Sequence, residues 1–179
     1  MSRTHRRAAL VALAPLLALP LAALLGAPEA LRTGGTFTMT YTQQQVTPLG
    51  DVEGHIVIAA QAKGIAASTG KAPFMDGAEV RQVSLTELTQ GSGPDQGYII
   101  ESKGGETSIT RYTGSVKTVP TAEGKPATTF EGTWTKVGGS GRYAGMTGAG
   151  SYTGRMRSET EYVVEWKGEV QLRGAAGTP

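Results

Sequence analysis

The chain has 179 residues, a formal net charge of +2 and no cysteine, and 18% of its residues are charged. The absence of cysteine excludes disulfide bonds, thiolate metal sites and a cysteine nucleophile. The length suffices for one domain with a buried core, and no basic tract with interleaved aromatic residues follows the first few residues, which argues against a nucleic-acid partner.

The first thirty residues have the layout of an export signal. Arg3, Arg6 and Arg7 form a basic start, and the 20 residues 8–27 carry no charge. This pattern predicts a secretory signal helix within residues 1–30, with an uncleaved membrane anchor as the alternative. Loss of residues 1–27 removes three arginines and no acidic residue, so the net charge changes from +2 to −1. We expect an exported protein, periplasmic or extracellular, that meets a membrane only if the leader is retained.

Alternating apolar residues predict β-strands after the leader. Phe37, Met39 and Tyr41 share one face of residues 36–46, opposite four threonines. A period of two is typical of a strand with one buried face. A second strand is predicted at residues 52–61, centred on a short β-branched run.

The next segments are less regular. The composition of residues 64–76 predicts a loop. In residues 79–90 the apolar side chains are spaced by three, two and three, which fits either a bulged strand or a short amphipathic helix. The valine, threonine and serine content favours the strand.

The second half of the chain gives the clearest strand signals. Residues 96–103 and 106–116 flank a Gly-Gly pair, which predicts a hairpin with a two-residue turn. Three further strands are predicted at residues 128–137, 149–157 and 161–172. The last of these alternates most regularly and therefore has one face in the core and one in water.

Eight strands with short connections predict an all-β domain over residues 31–175, followed by a tail at residues 176–179. Short links favour antiparallel neighbours, and we predict an eight-stranded antiparallel up-and-down β-barrel. A two-sheet β-sandwich is the alternative. An eight-stranded barrel is just wide enough to be filled by side chains or to hold one small ligand.

A glycine-rich stretch, VGGSGRYAGMTG at residues 137–148, resembles the Gly-Gly-Thr/Ser-Gly-x-Phe/Tyr-x-Gly-x-x-Gly segment of the allene oxide cyclase and dirigent barrel proteins, and of bacterial exported proteins similar to them. The resemblance covers about 25 residues. It implies an eight-stranded antiparallel barrel with a central cavity, often oligomeric, in which the stretch forms a tight crossing between strands. The plant cyclases place an asparagine and a cysteine in the cavity; this chain contains neither, so no catalytic residue carries over.

The candidate site residues are those predicted to line the barrel. Glu101 and Arg111 are in phase with isoleucines, and inward-pointing faces would place a carboxylate and a guanidinium in the cavity. The opposite phase, with Tyr98 and Ile100 inward, is simpler. It places Glu101 in water, so no buried charge needs a partner. The candidates for the cavity lining are Phe37, Met39, Tyr41, Glu101, Arg111, Trp134, Tyr152 and Trp166.

Metal and cofactor sites have little support in the sequence. His55 is the only histidine after the leader, which excludes a multi-histidine metal site. Asp76 and Glu79 lie near a polar loop, where two carboxylates are usually solvated. We predict neither a metal nor a cofactor, and no serine–histidine–aspartate arrangement is present.

Three functions remain. The first is an exported barrel that binds a small, largely apolar molecule of unknown identity. The second is an isomerase or cyclase that acts by shaping its substrate in the cavity. The third is a structural or interaction module of the cell envelope. An interior filled by its own side chains favours the structural module. An open, wholly apolar cavity favours the binder. An open cavity that contains Glu101 or Arg111 favours the enzyme over the binder. The resemblance also allows for a homo-oligomer.

Overall fold

The computed structural model describes residues 30–69 and 73–172. Most of the predicted leader and the tail at residues 176–179 lie outside these ranges. Within them, no helix is long and apolar enough to cross a bilayer. The strands are β1 (Leu31–Pro48), β2 (His55–Thr69), β3 (Glu79–Thr89), β4 (Ser92–Lys103), β5 (Glu106–Pro120), β6 (Pro126–Gly139), β7 (Thr147–Met156) and β8 (Glu161–Gln171).

The eight strands form one closed antiparallel barrel in which each strand pairs with its neighbours in sequence. Closure is made by β1 and β8, from Leu31 opposite Val170 to Thr40 opposite Glu161. The barrel prediction is confirmed, and the sandwich alternative is wrong. The predicted hairpin is also confirmed, because Gly104 and Gly105 have positive φ angles of 60° and 83° between β4 and β5.

Strand β2 is longer than predicted. Residues 64–69, predicted as loop, continue the ladder with β1 as far as Thr69, which pairs with Gly34. Gly64 lies opposite Met39 in this ladder, and a Cβ at Gly64 would overlap the Thr38 carbonyl oxygen and lie 2.6 Å from Met39 Sδ. Its glycine therefore reflects close packing inside the barrel, and the composition of this segment was misleading.

Strand β3 is regular, which settles the ambiguity of its spacing. Its pairing with β2 runs without interruption from Ile65 opposite Glu79 to His55 opposite Thr89. Buried and exposed residues alternate, but Val83 and Leu85 are on the outer face at 45% and 47% exposure. The irregular apolar spacing arises because the inner face of this strand carries polar side chains.

The large inward rings lie over inward glycines of neighbouring strands. Trp134 occupies the space above Gly150 and Gly168, where a Cβ at Gly150 would lie 2.5 Å from Trp134 Cζ2. The Tyr152 hydroxyl lies in the same way against Gly132, 2.8 Å from the position of a Cβ. These glycines thus provide the room that an eight-stranded barrel needs for indole and phenol rings.

One end of the barrel is closed by two connections. Phe74 and Met75, between β2 and β3, are 6% and 2% exposed, and Tyr143 and Met146, between β6 and β7, are equally buried. The Phe74 and Tyr143 rings pack edge to face with centroids 5.3 Å apart. The glycine-rich stretch therefore supplies part of this closed end, with a short 3-10 helix at Gly141–Tyr143.

We predict that Gly150→Ala lowers the free energy of unfolding by about 1–3 kcal/mol, because the added methyl group overlaps the Lys167 carbonyl oxygen and the Trp134 ring. This corresponds to a loss of roughly 2–12 °C in Tm. Gly138→Ala is the matched control, since its Cβ would meet only Ile109 Cδ1 at 3.9 Å. Thermal unfolding followed by circular dichroism measures both, and equal Tm values for the two variants would contradict the packing argument.

Candidate functional site

The barrel encloses a cavity of about 260 Å³. Towards the open end its wall includes the partly exposed side chains of Ile58, Val116, Thr118 and Thr128. Six of the eight residues predicted to line the interior do so: Phe37, Tyr41, Glu101, Trp134, Tyr152 and Trp166.

Two of the predicted lining residues lie elsewhere. Met39 is fully buried in the hydrophobic core but is not part of the cavity wall. Arg111 is exposed on the outer face, and its prediction as a lining residue is wrong. The physical reason is the alternation of β5, which points Tyr112 inward at 6% exposure and so turns Arg111 to solvent.

Glu101 points inward and is 1% exposed, whereas Tyr98 is 47% exposed. The simpler phase, with Tyr98 and Ile100 inward, is therefore wrong. The burial of this carboxylate is compensated by partners that sequence reasoning missed. Lys136 Nζ donates a hydrogen bond to Glu101 Oε2 at 2.7 Å, and Ser108 Oγ donates to the same oxygen at 3.0 Å.

This polar cluster lies beside the closed end of the cavity. Lys136 Nζ is 4.5 Å from the centroid of the Phe74 ring and 5.7 Å from that of Trp134. Burial lowers the pKa of Lys136, and the nearby Glu101 carboxylate opposes that shift. The result is a buried ion pair at one end of a cavity with aromatic walls.

A second polar group lies further along the wall. Gln82 Nε2 donates a hydrogen bond to the Tyr112 hydroxyl at 2.8 Å, and the Tyr162 hydroxyl donates to Gln82 Oε1 at 2.5 Å. Tyr41 packs against Tyr162 with ring centroids 4.9 Å apart, and Tyr152 packs edge to face on Tyr112 at 5.6 Å. We call these four tyrosines with Gln82 the tyrosine belt.

Asp95 on β4 lines the cavity beside the belt. Burial raises the pKa of Asp95 to about 6, although hydrogen bonds from the Thr86 hydroxyl, the Gln96 backbone and Tyr112 oppose the shift. The Thr86 Oγ1 to Asp95 Oδ1 distance is 2.8 Å. A carboxyl with this pKa exchanges a proton near neutral pH.

The belt tyrosines keep their protons. Burial, and secondarily the Asp95 carboxylate, raises the pKa of Tyr41 to about 12. The pKa values of Tyr112, Tyr152 and Tyr162 are also raised, first by burial. The belt therefore presents neutral phenol groups to a bound molecule.

His55 lies outside this cavity, at the start of β2. Its Nδ1 is 2.6 Å from Asp51 Oδ1 and its Nε2 is 3.0 Å from Glu87 Oε1. Hydrogen bonds to Glu87 and Asp51 raise the pKa of His55. Across residues 30–69 and 73–172, no group of three histidine or acidic side chains is placed to hold a metal ion.

Asp95, Gln82, Tyr112, Tyr162 and Lys136 were missed as site residues by sequence reasoning. A signal was present for three of them. Asp95 is six residues before Glu101, Lys136 is two residues after Trp134 and Tyr162 is four residues before Trp166, so each shares the face of a candidate. No such signal existed for Gln82, because the apolar spacing of its strand suggested a different phase.

Comparison with known proteins adds no argument about the function of this chain. No family model matches the chain, and no curated protein matches it. Among solved structures, a pterocarpan synthase dirigent protein is similar at 14% identity and a TM-score of 0.43, over 86% of this chain and 92% of that one. At this similarity the match bears on neither the ligand nor the chemistry of this chain.

We predict that Asp95 makes stability depend on pH between about pH 4 and pH 7. The folded-state pKa is raised to about 6 from 3.8, so the unfolded chain ionises first as the pH rises. The wild-type protein should therefore lose up to roughly 3 kcal/mol relative to Asp95→Asn over this range.

Denaturant unfolding at several pH values, followed by tryptophan fluorescence, measures this difference. Glu131→Gln is the control because it removes an exposed carboxylate from the outer face. A stability difference between wild type and Asp95→Asn that stays constant with pH would show that Asp95 is not ionised differently by folding.

Proposed function

We propose that this protein is exported and binds one small, largely apolar molecule inside its barrel. The observation that carries the proposal is the cavity of about 260 Å³, which lies just below the range of about 300–1,000 Å³ typical of small-molecule sites. The unfilled interior supports a binder over a purely structural module.

The chemistry of the wall fits such a ligand. Aromatic side chains such as Phe37, Trp134 and Trp166 provide apolar surface, while Asp95 and the tyrosine belt provide a few polar groups. An apolar wall with a small number of placed hydrogen-bonding groups is typical of small-molecule sites, since the polar groups fix the orientation of the ligand.

Native mass spectrometry of the protein purified from its source tests the proposal most directly. We expect a bound small molecule, and the same spectrum gives the oligomeric state and the mass of the mature chain. Binding of 1-methoxyadamantane, a compact apolar probe, is measured in parallel by calorimetry. Bare protein together with no binding of the probe would reject the proposed function.

We predict that Ala60→Phe weakens binding of 1-methoxyadamantane about tenfold or more, because the added ring occupies space that the ligand needs. Ala60 lines the cavity and is 6% exposed. Ala59→Phe is the matched control, since the neighbouring residue is on the outer face. Equal affinities of the two variants would place the probe outside the barrel.

A second candidate function is an isomerase or cyclase. The cavity contains Glu101, the observation expected to favour an enzyme, but this carboxylate is held in an ion pair with Lys136. The carboxyl that favours the enzyme is therefore that of Asp95. Its carboxyl lines the cavity with a pKa raised to about 6 by burial, and general acid–base groups work best with a pKa near the operating pH. In this role Asp95 accepts a proton from one carbon of the substrate and returns it to another, while the wall holds the substrate in one conformation.

We predict that the wild-type protein exchanges carbon-bound hydrogen of a co-purified ligand in deuterium oxide and that Asp95→Asn slows the exchange by about 100-fold or more. Mass spectrometry of the recovered ligand measures deuterium uptake. The variant must still bind the ligand for the comparison to count. Binding without any exchange by the wild-type protein leaves a binder and eliminates this enzyme.

A further inference from the structure

In the buried ion pair of Glu101 and Lys136, only one of the two carboxylate oxygens of Glu101 accepts hydrogen bonds. The side chains are 1% and 4% exposed. Lys136 Nζ donates to Glu101 Oε2 and, at 2.8 Å, to Ser108 Oγ. Ser108 in turn donates to Glu101 Oε2. All of these contacts to the carboxylate therefore converge on one oxygen.

The other oxygen, Glu101 Oε1, is buried without a hydrogen-bond partner among the described residues. A buried carboxylate oxygen without a donor is costly, because it has lost water and gained nothing in exchange. Glu101 is one of the residues that line the cavity. A molecule that occupies the cavity, whether water or a ligand, can supply the missing donor.

Two further polar atoms of the cavity wall are in the same state. Trp166 Nε1 and the Tyr152 hydroxyl are buried and have no partner among the described residues. Trp166 belongs to the closed end, since its ring contacts Phe74 at a centroid distance of 6.4 Å and Phe74 also contacts Lys136. The closed end thus offers an unused acceptor and an unused donor.

We propose that the closed end of the cavity binds the hydroxyl group of a small, largely apolar alcohol, which donates its hydrogen to Glu101 Oε1. This inference rests on the proposed binding function. A hydroxyl group both donates and accepts, so its oxygen remains free to accept from a donor such as Trp166 Nε1.

Other ligand groups fit this end less well. An ether or a ketone accepts but does not donate, and it leaves Glu101 Oε1 without a partner. A carboxylate places a second anion beside Glu101. An ammonium group is repelled by the positive charge of Lys136, and the negative charge of Glu101 is already paired with that lysine. A neutral donor satisfies the site without adding a charge to a buried environment.

Calorimetric titration with 1-adamantanol and 1-methoxyadamantane tests the assignment, because the two probes share a cage and differ in the donor. We expect the alcohol to bind about tenfold more tightly or better, as hydrogen bonds to charged groups exceed neutral ones. Equal affinities, or tighter binding of the ether, overturn the alcohol assignment and leave the binding function in place. Binding of neither probe counts against both.

The double variant Glu101→Met/Lys136→Met tests whether the Glu101–Lys136 pair causes the preference for the alcohol. It removes both charges together, so that no lone ion is left buried. We expect the ratio of alcohol to ether affinity to fall to about twofold or less, with ether binding retained. Glu165→Met/Lys167→Met carries the same changes on exposed positions of β8 and should keep the wild-type ratio.

A folded double variant that retains the full preference for the alcohol overturns the role of Glu101. Thermal unfolding shows whether the variant is folded. If it is not, the ratio is measured on Asp95→Leu, because Asp95 is the other carboxyl of the cavity wall that can accept from the alcohol. A preference that persists in Asp95→Leu supports Glu101 as the acceptor, and a preference that is lost there overturns its role.

Discussion

The interior of this barrel depends on a steric match between rings and glycines across adjacent strands. An eight-stranded barrel has little room at its centre, yet the inner face here carries two indoles and several phenol rings. Trp134 and Tyr152 lie against the wall because the strands beside them present glycine, such as Gly150 and Gly132. Rings that lean on the wall do not meet in the middle, and the space of about 260 Å³ is the result.

The barrel interior accommodates its two buried carboxyl groups, Glu101 and Asp95, in different ways. The charge of Glu101 is balanced by an ion pair with Lys136, whereas burial raises the pKa of Asp95 to about 6 because it favours the protonated form. Both arrangements avoid an unpaired buried ion. The wall therefore combines a fixed ion pair at the closed end with a carboxyl of raised pKa beside the tyrosine belt.

The sequence was sufficient for the architecture because several strands show a period of two, others are rich in β-branched residues, and the links between them are short. It failed where the inner and outer faces of a strand do not differ in polarity. On β3, Gln82 faces the cavity while Leu85 faces water, the reverse of the usual rule. On β4 the phase of Glu101 depends on Lys136, 35 residues later in the chain, and only the closed sheet brings the two together.

The closed end formed by Phe74 and Tyr143 makes the cavity a blind channel with one entrance. A molecule that enters must leave by the same route, so side chains near the mouth such as Val116 and Thr118 change the rates of association and dissociation together. Side chains at the closed end act on the bound state alone and hence on the residence time. For the proposed ligand, the mouth therefore changes how fast binding equilibrates without changing the affinity, and the closed end changes the affinity through the dissociation rate.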